Sequence, residues 1–186
     1  RLKGLFEAIR LNTKVVGLKE SGNGVEVSFE GPDGETTETF SRVLVAVGRR
    51  PNSDGMGLEN TNVVVDSKGF VEVDKQQRTG DSHILAIGDV CGEPMLAHRA
   101  SHQGKVAVES LHGEPAMFDP RAIPAVVFTD PEIAWAGLTE QEAELSGREI
   151  EISRYPWAAS GRAHALGRIE GMTKILVDPE TEQVLG

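Results

Sequence analysis

Cysteine is almost missing from this chain, and long hydrophobic runs are missing altogether. The 186 residues include a single cysteine, Cys91, so no disulfide can form within the chain, and this usage is typical of a reducing compartment. The Cys91 side chain itself has the character of a small, half-buried apolar residue. No apolar run approaches the roughly 20 residues that cross a bilayer. We therefore predict a cytoplasmic protein without a membrane span.

Basic residues are scarce relative to acidic ones. Nineteen lysines and arginines stand against 29 aspartates and glutamates, which gives a net charge of −10 at pH 7. This excess of negative charge disfavours nucleic acid and anionic membranes as partners. Apolar residues make up 39% of the chain, enough for one good core or two small ones, so we predict a globular protein.

Both ends of the sequence look interrupted. The first residue is Arg1 rather than methionine, and residues 1–9 resemble the end of an amphipathic helix. A strand has just begun in residues 182–185 when the sequence stops. We therefore expect an internal part of a longer protein.

Turn residues divide the first 40 positions into short strands. Residues 21–24 and 31–34 are rich in glycine, asparagine and aspartate, which favour turns. Between them, residues 25–29 alternate apolar and polar side chains, which is the pattern of a strand with one solvent-exposed face. The sequence predicts a small antiparallel meander with strands over 11–18, 25–29 and 35–40.

A different kind of strand is predicted at residues 43–47. This segment, Val-Leu-Val-Ala-Val, is apolar throughout, as in parallel strands that are covered on both faces. Gly48 ends it and would allow the backbone to approach a ligand. Arg49 could reach a phosphate there, although an arginine on a loop is more often solvated.

The chain is organised around residues 84–89. Residues 84–87 predict a buried strand, and Gly88 permits a sharp turn after it. Asp89 then places a carboxylate at the carboxyl end of the strand, where open α/β sheets bind ligands. A Gly-Asp pair can also be a solvated turn.

A helix is predicted to begin at Pro94. Proline suits the first helical position, so the next amides would be unpaired at the positive end of the helix dipole. They belong to Met95, Leu96 and Ala97. Positions 97, 100, 104, 107 and 111 share one face of this helix, where small side chains allow a bound group or a neighbouring sheet to pack closely.

Two histidines on this helix have a spacing that metal sites use. His98 and His102 lie four residues apart. We predict no metal, because no carboxylate or cysteine stands at a companion spacing on the helix.

The character of the chain changes near Ile123. A helix is predicted from Thr139 to Leu145, with Thr139 and Glu142 as a capping box. Strands are predicted over 123–128, 133–137, 149–155, 171–177 and 182–185. This order is typical of an antiparallel sheet with helices on one side. Residues 155–163 are interpreted as a loop that holds an aromatic anchor.

Several separated motifs resemble the FAD-dependent pyridine nucleotide-disulfide reductases. In chain order they are Thr13-Lys14-Val15, residues 46–52, Thr79 with residues 84–89, and residues 94–98. The resemblance implies an α/β and α+β fold: part of an FAD/NAD(P)-binding, Rossmann-like two-domain reductase, followed by the first part of its α+β dimerisation domain. It also implies three segments: 1–51, the end of the NAD-binding domain; 52–122, a central FAD-binding segment; and 123–186, the start of the dimerisation domain.

The resemblance implies FAD and NAD as cofactors. In the family the aspartate at position 89 binds the ribityl chain, and the amides that open the helix face the pyrimidine edge of the flavin. The implied FAD contacts are Gly88, Asp89, Met95, Leu96, Ala97 and His98. The implied NAD contacts are Val15, Ala46, Val47, Gly48 and Arg49.

The family reaction passes two electrons from a dithiol through a cysteine pair to FAD and then to NAD+. The chain has neither that pair nor the family's His-Pro motif, so no catalytic residue is assigned and the chain alone is predicted to be inactive. Residues 94–98 and 157–160 resemble most closely the members that oxidise dihydrolipoamide. Members that reduce glutathione or mercuric ion are the alternative, and a non-enzymatic interaction fragment is another. The implied partners are a second copy of the protein and the lipoyl domain of the E2 component of a 2-oxo acid dehydrogenase complex.

Overall fold

A computed structural model describes residues 2–186, and the chain divides into two compact units, Arg1–Arg49 and Arg50–Gly186. Arg1, where the predicted opening helix would begin, lies outside the described residues. For residues 2–9 the prediction of a helix is wrong, since the structure has only a short 3-10 turn at Leu2–Gly4. Residues 2–9 are all exposed, so no packed face supports a longer helix.

The first unit is built on a three-stranded antiparallel sheet. Its strands are β1 (Lys14–Ser21), β2 (Gly24–Gly31) and β3 (Gly34–Phe40), in the order β1-β2-β3. The predicted meander is therefore confirmed. Val16 forms a bulge in β1, because Val15 pairs with Phe29 whereas Gly17 pairs with the adjacent Ser28.

The core of this sheet is small and one-sided. Val27 is its buried side chain, and the rings of Phe29 and Phe40 meet edge to face with centroids 6.2 Å apart. The guanidinium of Arg10 lies 4.9 Å from the centre of the Phe29 ring, so a cation lies over the ring of Phe29.

The predicted buried strand at residues 43–47 is wrong for the chain as described. Residues 42–46 carry no strand assignment, and the side chains of Leu44 and Val47 are 92% and 93% exposed. A parallel strand forms only through ladder bonds to neighbouring strands, and residues 2–186 supply none here. The apolar composition indicates a strand that needs partners on both sides.

The second unit begins with turns and a short hairpin. A 3-10 turn spans Leu58–Asn60, and residues 63–73 form a short hairpin closed by the Val65–Val71 bridge. The Asp66 carboxylate accepts hydrogen bonds from the amides of Lys68 and Phe70, each at 2.8 Å. Asp66 therefore sets the turn of the hairpin.

The long helix α1 (Ala97–Leu111) is the main packing element of the second unit. Its buried side chains are Arg99, Gln103, Val106, Ala107 and Ser110. The small-residue face predicted from the sequence is therefore only partly correct, since Ala97 and Leu111 are exposed. Polar side chains occupy the buried face because each has a hydrogen-bond partner there.

The remainder of the second unit consists of two antiparallel strand pairs and two short helices. The elements are β4 (Ala125–Val127), β5 (Ile133–Trp135), α2 (Glu140–Ser146), β6 (Glu151–Pro156), α3 (Gly161–Ala165) and β7 (Met172–Val177). Strand β4 pairs with β5 and β6 with β7, so within the described residues the single predicted sheet is two separate pairs.

Helix α2 is capped as the sequence predicts. The amide of Glu142 donates to Thr139 Oγ1 at 3.2 Å, and the amide of Thr139 donates to Glu142 Oε2 at 2.9 Å. Gly147 ends the helix in the left-handed conformation. The Glu140 carboxylate also accepts hydrogen bonds from Arg154 on β6 and Lys174 on β7. These ion pairs connect α2 to the β6–β7 strand pair.

The aromatic anchor predicted in residues 155–163 is confirmed, although it lies on helical turns rather than on a plain loop. Trp157 opens a 3-10 turn, Trp157–Ala159, and its Nε1 donates to Thr173 Oγ1 at 3.0 Å. The Tyr155 hydroxyl donates to the Ala159 carbonyl at 3.0 Å. The two rings thus tie this segment to β6 and β7.

Among residues 2–186, no helix is both long enough and apolar enough to cross a bilayer.

Candidate functional site

The segment that leads into the predicted site is extended but paired on one side. Leu85 forms an isolated bridge with Arg78, and the amide of Ala86 donates to the Gln77 carbonyl at 3.1 Å. Thr79 Oγ1 donates to the Ile84 carbonyl at 2.7 Å. Residues 84–87 are therefore not the fully buried strand that was predicted, because the described chain provides only the neighbour at residues 77–79.

The sharp turn predicted at Gly88 is confirmed. A 3-10 turn spans Gly88–Cys91, and Gly88 has φ of 78°, in the left-handed region that glycine adopts without strain. A Cβ at this position would lie 3.0 Å from Ala100 Cβ. Glycine thus permits both the turn and its close packing on α1. The side chain of Asp89, the next residue, is exposed.

Gln103 connects the turn to the helix. Its Oε1 accepts a hydrogen bond from the Gly88 amide at 2.8 Å, and the Gln103 side chain is only 2% exposed. A buried amide needs a partner, and here a helix side chain provides it.

The predicted helix start at Pro94 is wrong. Leu96 is extended, with φ −133° and ψ 134°, and α1 begins at Ala97. The first ladder bond joins the Ala100 amide to the Leu96 carbonyl at 3.1 Å. The amides ahead of the ladder are therefore those of Ala97, His98 and Arg99, whereas Met95 precedes the helix.

Arg99 explains why the helix begins late. It is nearly buried, and its guanidinium donates to the carbonyls of Gly92 and Pro94. These bonds tie the loop before α1 back onto the first turn of the helix. Residues 92–94 therefore serve as acceptors for the side chain and are not part of the helical ladder.

Cys91 closes the 3-10 turn. Burial raises the pKa of its thiol to about 11, an effect that the positive charge of Arg99 partly offsets. The thiol is consequently protonated near neutral pH, and a protonated thiol is a poor nucleophile. Its interpretation as a small half-buried residue fits this environment.

The residues implied to contact NAD lie in the first unit. Val15 lies on β1 next to the Val16 bulge and is more than half exposed. Ala46, Val47 and Arg49 lie in the segment after β3, which is neither helix nor strand, together with Gly48, which has φ of 116°. Among the described residues, nothing lies within 4 Å of a Cβ built on Gly48, so packing does not explain the glycine. Each implied set lies within one unit, the NAD set in the first and the FAD set in the second.

The two helix histidines each have another partner. His98 Nε2 lies 2.8 Å from the Pro124 carbonyl oxygen, and the His102 ring meets the Phe118 ring edge to face with centroids 5.1 Å apart. In the part of the chain that the structure describes, no three His, Cys, Asp or Glu side chains are grouped to hold a metal.

Sequence reasoning missed the polar residues that shape the site. Arg99 and Gln103 are buried beneath the loop and the turn, and Ser110 accepts from Arg78 Nη2 at 3.2 Å on the same face of α1. Positions 99, 103, 106 and 110 follow helical spacing, so the signal was present. Polar side chains at this spacing do not by themselves indicate a buried face, because their burial requires hydrogen-bond partners elsewhere in the fold.

The chemistry of the site fits the polyol and pyrimidine parts of a flavin cofactor. Asp89 is an exposed carboxylate that can accept hydrogen bonds from hydroxyl groups. The amides that open α1 can donate to carbonyl oxygens, at the positive end of the helix dipole. Gln103 holds the turn that carries Asp89 against α1, and Arg99 holds the loop that precedes the helix.

Comparison with known proteins gives two family matches. Residues 8–104 match the family described as pyridine nucleotide-disulphide oxidoreductase, and residues 123–186 match its dimerisation domain. Members of this family use FAD and NAD(P). The matches leave only residues 1–7 and 105–122 uncovered.

Curated relatives resemble the chain over its whole length. Dihydrolipoyl dehydrogenase of Vibrio cholerae is 46% identical over 187 aligned positions, which cover 100% of this chain and 39% of the relative. The Bacillus subtilis protein of the same name is 44% identical over 99% of this chain and 39% of its own length. The chain thus spans about two fifths of the length of these relatives.

Solved structures show the same fold. LpdA from Mycobacterium tuberculosis has a TM-score of 0.83 at 30% identity, covering 94% of this chain and 38% of that protein. The flavoprotein disulfide reductase RclA from Escherichia coli, as the Cu(II) complex of a cysteine-to-serine mutant, also reaches 0.83, at 28% identity over 94% of this chain and 39% of that one. The predicted fold class, a Rossmann-like α/β reductase continuing into an α+β dimerisation domain, is confirmed by these neighbours and matches. The chain belongs to the pyridine nucleotide-disulphide oxidoreductase family.

Proposed function

We propose that the chain is part of a dihydrolipoyl dehydrogenase, which oxidises dihydrolipoamide and reduces NAD+ with FAD as its bound cofactor. The observation that carries this proposal is the 46% identity with the Vibrio cholerae enzyme along the full length of this chain. The fold shared with flavoprotein disulfide reductases supports the same reaction class.

FAD, when bound, supplies the two-electron chemistry that links a dithiol to a nicotinamide. Asp89 would accept a hydrogen bond from a ribityl hydroxyl, and the amides of Ala97 and His98 would donate to flavin carbonyl oxygens. Gly88, Met95 and Leu96 would contribute backbone contacts around them. The exposed Asp89 and the late helix start support this assignment.

We assign NAD to the first unit. Val15 would lie near the adenine end of the nucleotide, and Ala46, Val47, Gly48 and Arg49 would approach its nicotinamide half. The positive φ of Gly48, which no packing contact explains, supports a close approach of the backbone to a ligand.

The same proposal covers domains, partners and location. Residues 1–51 would complete the NAD-binding domain, 52–122 would form the FAD-binding segment, and 123–186 would begin the dimerisation domain. We propose a cytoplasmic homodimer that serves the E2 lipoyl domain of a 2-oxo acid dehydrogenase complex. The match of residues 123–186 to a dimerisation domain supports the homodimer.

A disulfide reductase with another substrate is the second candidate, of the glutathione or mercuric reductase type. The observation in its favour is that RclA, described as a flavoprotein disulfide reductase, shares the fold with a TM-score of 0.83. The fold alone therefore does not select the substrate.

The test uses the complete protein that contains this sequence. Purified protein should carry a flavin absorbance spectrum and should reduce NAD+ when dihydrolipoamide is added. Oxidation of NAD(P)H with glutathione disulfide or mercuric ion, without activity on dihydrolipoamide, would select the second candidate. A colourless, well-folded protein would contradict both and favour an interaction module.

A further inference from the structure

The hydrogen bond between Gln103 and Gly88 is buried at both ends. Gln103 is 2% exposed, Gly88 is buried, and the amide nitrogen lies 2.8 Å from Gln103 Oε1. Water cannot readily replace such a bond, because neither group can turn to solvent without opening the contact between the turn and α1.

The turn is fixed at two points that enclose Asp89. Gly88 is held by Gln103, and the Val90 carbonyl accepts from the Val71 amide at 2.8 Å. Asp89 lies between these two anchored residues. Its backbone therefore depends on both bonds, although neither one involves its carboxylate.

The bond from the Gly88 amide to Gln103 matters because residue 88 is a glycine. A glycine populates left-handed and right-handed backbone conformations with similar ease, so the φ of 78° at Gly88 is not enforced by the residue itself. A buried acceptor that must meet the Gly88 amide selects one direction of that amide. It thereby selects one backbone conformation leading into Asp89.

We propose that Gln103 is a positioning residue for flavin binding, which holds the Gly88–Cys91 turn in the conformation from which Asp89 binds the cofactor. The inference rests on the proposed function, because it requires Asp89 to bind FAD. Without the acceptor, the turn samples further conformations, and the apparent affinity falls with the fraction of protein that is competent to bind.

The chemistry of the side chain yields a specific set of variants. Methionine at position 103 has a similar volume but no strong acceptor, so Gln103→Met leaves the Gly88 amide buried and unpaired. Gln103→Glu keeps both the length and an acceptor oxygen. Val106→Ala is the matched control, since Val106 is 3% exposed on the same helix and its truncation weakens packing.

The experiment measures FAD affinity of the complete apoprotein by fluorescence quenching, together with hydrogen exchange of residues 86–90 and thermal unfolding. Gln103→Met should bind FAD about tenfold more weakly, with faster exchange in residues 86–90. Gln103→Glu should stay within about threefold of the parent protein. Val106→Ala should unfold at a lower temperature with its FAD affinity unchanged.

The inference is overturned if Gln103→Met loses stability but keeps the FAD affinity of the parent, or if Gln103→Glu does not rescue binding. Should Gln103→Met fail to fold, Gln103→Asn replaces it, because its side chain is one methylene shorter and its oxygen does not reach the Gly88 amide. Gln103→Asn should then show the weaker FAD binding and the faster exchange expected of Gln103→Met. If Asp89→Ala weakens FAD binding and the Gln103 variants do not, this inference alone fails. If the complete protein binds no FAD, the proposed function fails with it.

Discussion

The imidazole Nε2 of His98 lies 2.8 Å from the carbonyl oxygen of Pro124, and this contact joins the start of α1 to the segment that enters β4. A carbonyl oxygen only accepts, so Nε2 must carry the hydrogen. One side chain thus links the segment implied to bind FAD with the residues that match a dimerisation domain.

We predict that His98→Ala lowers the free energy of unfolding by roughly 1 kcal/mol, the usual net value of one hydrogen bond. Thermal and urea unfolding followed by circular dichroism would measure it. The control is His112→Ala, because His112 is exposed near the other end of α1. Equal stability of the two variants would show that the His98 contact contributes nothing.

Replacement of Asp89 should weaken flavin binding in the complete protein. Asp89→Ala removes a charge-assisted hydrogen bond worth roughly 1.5 to 3 kcal/mol, so FAD affinity should fall about 10- to 150-fold. Asp89→Asn should lose less, because its amide oxygen still accepts. Asp119→Ala, which removes a surface partner of Lys75, is the control. Unchanged FAD retention during dialysis of folded Asp89→Ala would reduce Asp89 to a turn residue.

The 186-residue chain on its own should be colourless and should not oxidise dihydrolipoamide. One cysteine cannot form the redox disulfide that the family reaction needs. Absorbance near the flavin bands and NAD+ reduction with dihydrolipoamide would be measured after rigorous purification. Turnover that copurifies with the chain and responds to Asp89→Ala would overturn this expectation.

The isolated chain should also associate with itself. Phe128 and Ile133 lie at or beside the ends of β4 and β5 and are 84% and 60% exposed, and short strand edges with apolar side chains promote pairing between molecules. Sedimentation velocity should show mass that increases with concentration. Phe128→Gln should reduce this association more than Leu145→Gln, which changes a single exposed residue on α2. A monomer at high concentration would contradict the prediction.

Acid should destabilise the turn that follows β7 through Asp178. Hydrogen bonds from the Thr181 amide and hydroxyl, together with Arg148, lower the pKa of Asp178 from 3.8 to about 2. The unfolded chain therefore binds more protons in this range, so the contribution of Asp178 to stability is fully present only well above the unfolded pKa of 3.8 and is lost as the pH falls toward 2. Urea unfolding against pH should show this decline.

The matched variant for this test is Asp178→Asn, which accepts hydrogen bonds but does not titrate. Asp81, Glu140 and Glu142 also have lowered pKa values. The pH dependence that they contribute is the same in the parent and the variant. The difference between their pH profiles should be confined to pH 2–4. Parallel profiles would show that Asp178 has the same pKa in the folded and unfolded chain.

Local patterns predicted the local structure well. The alternation in residues 25–29, the turn residues around it and the Thr139–Glu142 capping box depend on neighbours within a few positions, and all three are confirmed. The Gly88 turn belongs to the same class, since glycine adopts its left-handed conformation without strain.

Predictions that depended on distant partners were less accurate. Residues 43–47 are apolar enough for a buried strand, but a strand requires a ladder partner that composition does not reveal. The start of α1 was misplaced because the bonds from Arg99 to Gly92 and Pro94 compete with helix formation. The side chains of Gln103 and Arg99 were overlooked because burial of a polar group depends on a partner elsewhere in the fold.

Cys91, the single cysteine of the 186 residues, makes the turn observable by chemical modification without an introduced cysteine. Because burial raises the pKa of the Cys91 thiol to about 11, little of it is thiolate near neutral pH, so alkylating reagents should modify the closed turn slowly. An opened turn would expose a thiol of ordinary acidity and react much faster. The alkylation rate of this single cysteine therefore reports how often the turn that carries Asp89 opens, and a ligand that holds the turn closed would protect it.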